Sequence, residues 1–189
     1  MTTATVVDPL IERLRDAVRL GDIAAITERI KNDLESFIPA EGLILPEHFR
    51  IPNPNSYARR LLYRDKELNF TALIMTWGPG QRTALHDHAG IWCVEGVVEG
   101  AMEVCRYELL EEEGDGVFRF AERGSVHATA GEAGALIPPF EHHVLANARP
   151  DCSSLTLHVY GGEMDHCTIF EPLGDGLYRR QNRSLSYDE

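Results

Sequence analysis

Apolar residues recur every third or fourth position at the start of the chain and every second position from Tyr57 onward. Asp8 and Pro9 open a helical stretch in which Leu10, Leu14, Ala17 and Val18 form one stripe, and Gly21 can end it. Asp22 caps a second helix whose Ile23, Ile26, Ile30, Leu34 and Phe37 share a face, so residues 8–37 read as two helices. The proline-rich "IPAEGLILPEHFRIPNPN" reads as a connector with room for one short helical turn. Beyond it, "YARRLLY", "NFTALIMTW", "IWCVEGVVEG", "AMEVCRYEL", "GVFRFAERG", "HHVLANA" and "SLTLHVYGG" are short β-type runs divided by Gly, Pro or Asp. "EEEGDG" at 111–116 reads as a solvated hairpin tip. The pattern predicts one mainly β domain over residues 1–189, with a helical segment and connector at 8–50. An antiparallel barrel or jelly roll occupies 57–172 with the helices packed outside, and a tail at 173–189 adds little.

Composition narrows the partners. Formal charge is −12, from 18 Lys+Arg against 30 Asp+Glu, and the basic residues do not cluster. An acidic surface repels phosphate backbones, so nucleic acid is not an expected partner, and no protein partner is indicated either. No segment approaches the roughly 20 apolar residues that span a bilayer. The N-terminus lacks the basic start and apolar run of a signal peptide, so a cytoplasmic protein without a membrane segment is expected. In that compartment Cys93, Cys105, Cys152 and Cys167, none in a C-x-x-C pair, are not expected to form structural disulfides.

The stretch "ALHDHAGIWC" concentrates chemistry. Residues i and i+2 of a strand face the same side, so His86 and His88 project together while Asp87 points away. A bare H-x-H is more often a pair of surface histidines. Here the surrounding run of Gly80, His86, His88, Cys93 and Gly100 resembles the first cupin motif, with Cys93 in place of its usual glutamate. "PPFEHHVLAN" resembles the second motif, with Pro138, His143 and Asn147 at its offsets. That register selects His143 as the third metal ligand; His142 faces the opposite way and reads as a rim or surface residue. Three imidazoles leave a divalent ion with about three open positions, and imidazole alone does not choose among Fe, Zn, Cu and Ni. The missing carboxylate favours an anionic ligand from solution, such as a thiolate. Open positions for substrate and dioxygen suit Fe(2+) better than a closed structural zinc.

Taken together, "GPGQRTALHDHAGIWC", "HHVLAN" and "LTLHVYGG" resemble the cysteine dioxygenase family of cupin thiol dioxygenases, over about Tyr57 to Pro172. The resemblance implies a cupin jelly-roll barrel and a mononuclear Fe(2+) on His86, His88 and His143. It also implies a small thiol and O2 as substrates and a sulfinic acid as product. Tyr57 and Arg59 would lie inside the pocket, the guanidinium holding a substrate carboxylate, with Arg60 at the surface. Relatives acting on 3-mercaptopropionate typically carry glutamine at the Arg59 position, so the arginine favours L-cysteine.

Strand alternation puts Thr156, His158 and Tyr160 on one face of "LTLHVY" and Leu155, Leu157 and Val159 on the other. From the residues alone, the polar face is equally well the solvent side of an edge strand. The family's Ser–His–Tyr row implies instead a buried, hydrogen-bonded row, with threonine keeping the hydroxyl and Tyr160 near the iron. Trp77 is open to two readings, a pocket wall or a core residue. The resemblance places Cys167 near the pocket mouth. Cys93 has three readings: a thiolate ligand, a small buried hydrophobe, or a cysteine beside the iron. In animal members of the family the cysteine at this position forms a thioether with the tyrosine matching Tyr160. The chain has both partners, and a cysteine capable of that link, rather than an iron ligand, is expected.

The activity so implied is oxidation of L-cysteine with O2 to cysteine sulfinic acid. Alternatives are another small carboxylated thiol (3-mercaptopropionate or mercaptosuccinate), a metal-dependent cupin isomerase, against which the missing glutamate counts, or a non-catalytic binding cupin.

Overall fold

The computed structural model describes residues 8–40 and 43–189. Helices α1 (Asp8–Val18) and α2 (Ile23–Ala40) are followed by a 3₁₀ turn at Glu47–Arg50, where the connector had room for one. Strands β1 (Ala58–Asp65), β2 (Phe70–Trp77), β3 (Leu85–His86), β4 (Cys93–Glu99), β5 (Ala101–Gly114) and β6 (Val117–Thr129) come next. They are succeeded by β7 (Ala133–Leu136), β8 (His143–Asn147), β9 (Ser154–Tyr160), β10 (His166–Gly174) and β11 (Leu177–Ser184). Asp22 caps α2 as expected, its Oδ2 accepting the Ala25 N–H at 2.9 Å. That helix runs past its expected end at Phe37 because Ile38, 7 % exposed, still packs into the core. No helix among the described residues is long and apolar enough to cross a membrane.

Strands β1-β2-β9-β4-β7 form one antiparallel sheet, and β10-β11-β6-β5-β8-β3 close the barrel. This is the mainly β cupin jelly roll with its helices outside. The central strands β2, β9 and β4 of the five-stranded sheet are buried on both faces. Outward-facing Ala72, Ile74, Val94, Leu155, Leu157 and Val159 meet Leu10, Leu14, Ile30, Leu34 and Phe37 of the helices. Inward-facing Leu73, Met75, Trp77, Cys93, Val97 and Tyr160 line the barrel. Strand β9 sits between β2 and β4 with all seven residues buried, so its polar face is not the solvent side of an edge strand. Each fully buried Leu or Val on its outer face contributes about 1.5–3 kcal/mol, which anchors the strand whose other face carries Thr156, His158 and Tyr160.

Residues 173–189 are not a passive tail. Strand β11 pairs with β10 and β6, and the chain beyond it crosses β1. Asp188 N donates to the Arg59 carbonyl at 2.7 Å, and Asp188 Oδ2 accepts the Arg59 N–H at 2.8 Å. The strand escapes a reading by alternation because both of its faces are largely exposed, leaving no apolar period. The same crossing corrects Arg60. Expected at the surface, it is buried beneath the C-terminus and donates from Nε to the Glu189 carbonyl at 3.3 Å. His142 is likewise buried rather than exposed, packed against the rings of Phe120 and Phe170.

Candidate metal centre

His86 in β3 is the cross-strand partner of His143 in β8, and His88 lies two residues beyond His86. Ring centroids are 4.7 Å apart for His86–His143, 5.0 Å for His88–His143 and 5.2 Å for His86–His88. The three rings can offer nitrogens that all lie within 4.8 Å of one another. Asp87 faces away and shapes the turn that leads out of β3. Its Oδ1 accepts the N–H groups of Thr168 at 2.8 Å and Ala89 at 3.1 Å, which holds Ala89 at a left-handed φ of 51°.

Electrostatics leave these rings neutral. Burial pushes His86 down to about 4 and holds His88 and His143 well below the usual histidine range. His86 directs Nδ1 at the Ala84 carbonyl at 3.0 Å, and a carbonyl only accepts, so Nδ1 carries the proton and Nε2 keeps its lone pair. His88 Nδ1 and both nitrogens of His143 are buried without a hydrogen-bond partner among the described residues. Orphaned polar atoms of this kind are costly. A divalent cation between the rings would take one nitrogen from each and relieve part of that cost, so the residues present fit a metal ion with three nitrogen donors.

A hydrogen-bonded row runs beside the imidazoles. Trp77 Nε1 donates to Thr156 Oγ1 at 2.9 Å, Thr156 Oγ1 lies 2.8 Å from His158 Nε2, and His158 Nδ1 lies 3.4 Å from Tyr160 Oη. Tryptophan can only donate, while a hydroxyl accepts twice and donates once, so the arrangement that also uses the Thr156 proton directs it to His158 Nε2. Thr156, having accepted, gives its own proton to His158 Nε2, which leaves the proton of this imidazole on Nδ1, facing Tyr160. Burial pushes His158 down to about 3, so the ring is neutral, and holds the Tyr160 phenol well above its usual value, so the phenol keeps its proton. Its oxygen accepts from His158, and its own O–H lies beside the Cys93 sulfur at the edge of the cavity. Trp77 thus joins both of its expected readings, because it also stacks on Tyr57 at 4.6 Å.

Around one small cavity of about 20 Å³ the structure gathers Tyr57, Arg59, Trp77, His86, His88, His143, His158 and Tyr160. Cys167 lines it as well. Cys93 is the cross-strand partner of Tyr160, fully buried, and its Sγ groups with Glu95 and His158 rather than with the three imidazoles. Arg59 is 5 % exposed; Nη1 donates to the Ser186 carbonyl at 3.1 Å and Nη2 to the Met164 carbonyl at 2.9 Å. Among the described residues no carboxylate forms an ion pair with it.

Two residues at the site carry no clear signal in the sequence. Glu95 shares the inward face of β4 with Cys93, so alternation places it in the barrel, but a glutamate in "CVEGVVEG" gives no other sign of burial. It is 9 % exposed, and burial pushes its carboxyl up to about 8. Arg183 of β11 lines the cavity mouth opposite Cys167, its partner in register. It lies in the segment whose strand has no apolar period.

The fold and site together define a cupin with a candidate three-histidine metal centre. The chain belongs to the cysteine dioxygenase type I family, which it matches over residues 5–172. Among solved structures it is similar to a conserved double-stranded β-helix protein from Klebsiella pneumoniae. Identity is 19%, coverage 66% of this chain and 94% of that one, and the TM-score 0.46. It is also similar to KdgF from a Halomonas species, at 19% identity, with 61% and 88% covered and a TM-score of 0.45. An RmlC-like cupin from Desulfovibrio desulfuricans is 16% identical, with 59% and 88% covered and a TM-score of 0.42. These are distant likenesses.

Proposed function

We propose that the protein is an iron-dependent thiol dioxygenase that converts L-cysteine and O2 to cysteine sulfinic acid. The observation that supports this most directly is the single cavity that three neutral imidazoles share with Arg59 and Tyr160. The reaction balances without a further reductant: both oxygen atoms go to sulfur, which gives up four electrons, and the thiol proton stays with the sulfinic acid. His86, His88 and His143 would hold the iron(II), which would supply Lewis acidity toward the thiol and redox chemistry with dioxygen.

The protein's own residues bind, orient and exclude water. Arg59 is a buried guanidinium without an anionic partner among the described residues, a costly arrangement that a substrate carboxylate relieves. Its two carbonyl bonds, to Ser186 and Met164, fix the fork before substrate arrives. Tyr57, stacked on Trp77, walls the same side. Tyr160 lines the cavity with its phenol protonated, where it can stabilise charge developing on oxygen.

A second reading, a thiol with two carboxylates such as mercaptosuccinate, is favoured by Arg183. Its guanidinium makes no hydrogen bond or ion pair among the described residues, and no Asp or Glu lines the cavity. Steady-state rates with L-cysteine, 3-mercaptopropionate and mercaptosuccinate distinguish the readings. The highest kcat/KM is expected for L-cysteine; a clear preference for an amine-free thiol would overturn that assignment.

A further inference from the structure

Glu95 is a buried acid with no part in the proposed reaction. On β4 it lies directly across from His158 of β9, and its inward direction follows from the strand alternation that points Cys93 and Val97 into the barrel. Its two carboxylate oxygens divide between two imidazoles: Oε1 is 3.6 Å from His143 Nδ1 and Oε2 is 3.5 Å from His158 Nδ1. Both separations are slightly longer than a hydrogen bond. Oε2 and His143 Nδ1 are each buried without a hydrogen-bond partner among the described residues. The unpartnered His143 Nδ1 therefore faces Oε1 of this buried acid across a short gap, while the unpartnered Oε2 faces His158.

The direction of approach limits what Glu95 can do. It does not line the small cavity shared by the histidines and Arg59. It lines instead a second cavity of about 430 Å³ on the α2 side of the barrel, bordered by Lys31, Val97, Met102 and Leu136. Glu95 thus meets His143 and His158 from behind, out of reach of a substrate in the first cavity. In a neutral imidazole only one nitrogen carries the proton, and an acceptor at Nδ1 keeps the proton there and the Nε2 lone pair free.

We propose that Glu95 is a positioning residue for the metal centre: its carboxyl oxygen Oε1 accepts the Nδ1 proton of His143, presenting Nε2 of that ring to the metal, while its other oxygen faces His158. The acid whose usual cupin place is taken by Cys93 is replaced two residues along on the same strand face, behind a ligand rather than on the metal. This inference rests on His86, His88 and His143 being the metal ligands and is independent of which thiol is oxidised.

Cobalt(II) binding by the full-length protein tests it, through chelator competition and the visible spectrum of the bound ion. Wild type, Glu95→Leu and Glu95→Gln are compared, alongside thermal melts of each without metal. Leucine removes a buried acceptor, so the metal-free Glu95→Leu protein is expected to melt at or above the wild-type temperature. Its cobalt affinity is expected to fall about 10- to 100-fold, with an altered spectrum. The amide introduced by Glu95→Gln still offers a carbonyl acceptor, so that protein is expected to bind between the two. Wild-type affinity and spectrum in both variants would overturn the proposal; should Glu95→Leu not fold, the same readings on Glu95→Gln decide. Failure of the wild type itself to bind one cobalt would instead remove the metal site on which the inference rests.

Discussion

Thr156 Oγ1 stands 2.8 Å from His158 Nε2 while accepting the indole N–H of Trp77. That hydroxyl gives the row its direction, because it converts a donor-only indole into a donor to the imidazole. Thr156→Val keeps the shape and removes the relay, leaving two buried groups unsatisfied at about 1–3 kcal/mol each. The variant is expected to melt at a lower temperature and to lose about tenfold in kcat, as the phenol of Tyr160 loses its fixed orientation. Thr156→Ser should restore both. A Thr156→Val enzyme with unchanged kcat would show that the row is structural only.

Arg59 should act on the carboxylate and not on the thiol. Hydrogen bonds to a charged group contribute about 1.5–3 kcal/mol, so Arg59→Ala is expected to lower kcat/KM for L-cysteine about 10- to 100-fold. Its effect on cysteamine, which lacks the carboxylate, should be much smaller. Equal losses for the two thiols would mean that Arg59 holds the C-terminal segment rather than the substrate.

Arg183 offers a narrower test. If it is the second cation of the mouth, Arg183→Met should reduce kcat/KM for mercaptosuccinate several-fold and leave L-cysteine within about twofold. Equal effects on both would assign Arg183 a general steering role.

Stability without metal should depend on pH in a direction that burial dictates. His86 and His158 are held down to about 4 and about 3 against an ordinary value of 6.5, and His88 and His143 lie well below it too. Below pH 6.5 the unfolded chain takes up protons that the folded chain refuses, so stability falls as pH drops from about 6.5 toward 3. Glu95 has the opposite sign: pushed up to about 8, it favours the folded state less as pH rises from about 4.5 to about 8. Melting temperatures of the metal-stripped protein should therefore drop steeply on acidification below 6.5, where four imidazoles outweigh one carboxyl. They should decline more gently above it, and Glu95→Leu should flatten that gentler limb and steepen the acid limb between about 4.5 and 6.5. A flat profile from pH 5 to 7 would contradict the burial of these rings.

Local pattern made much of this legible. The two-residue spacing of His86 and His88 and the split of β9 into polar and aliphatic faces are consequences of period two, while His143 came from the likeness to the second cupin motif; the structure brings those residues together. What escaped depends on pairing distant in sequence. Arg60 and His142 are buried by the C-terminus and by Phe120 and Phe170, and neither contact leaves a trace in local alternation. Strand β11 is exposed on both faces, so it has no apolar period, and Arg183 was hidden with it. Glu95 was within reach, since it shares the Cys93 face, but a lone acid in a strand signals burial only once its neighbours across β9 are known.

The most direct measurement is oxygen consumption by anaerobically iron-loaded protein on addition of L-cysteine, with the sulfinate product quantified. One O2 consumed per cysteine sulfinate formed is expected. Stoichiometric iron without oxygen uptake for L-cysteine or the other carboxylated thiols would contradict the proposed activity and leave the three-histidine site without this chemistry.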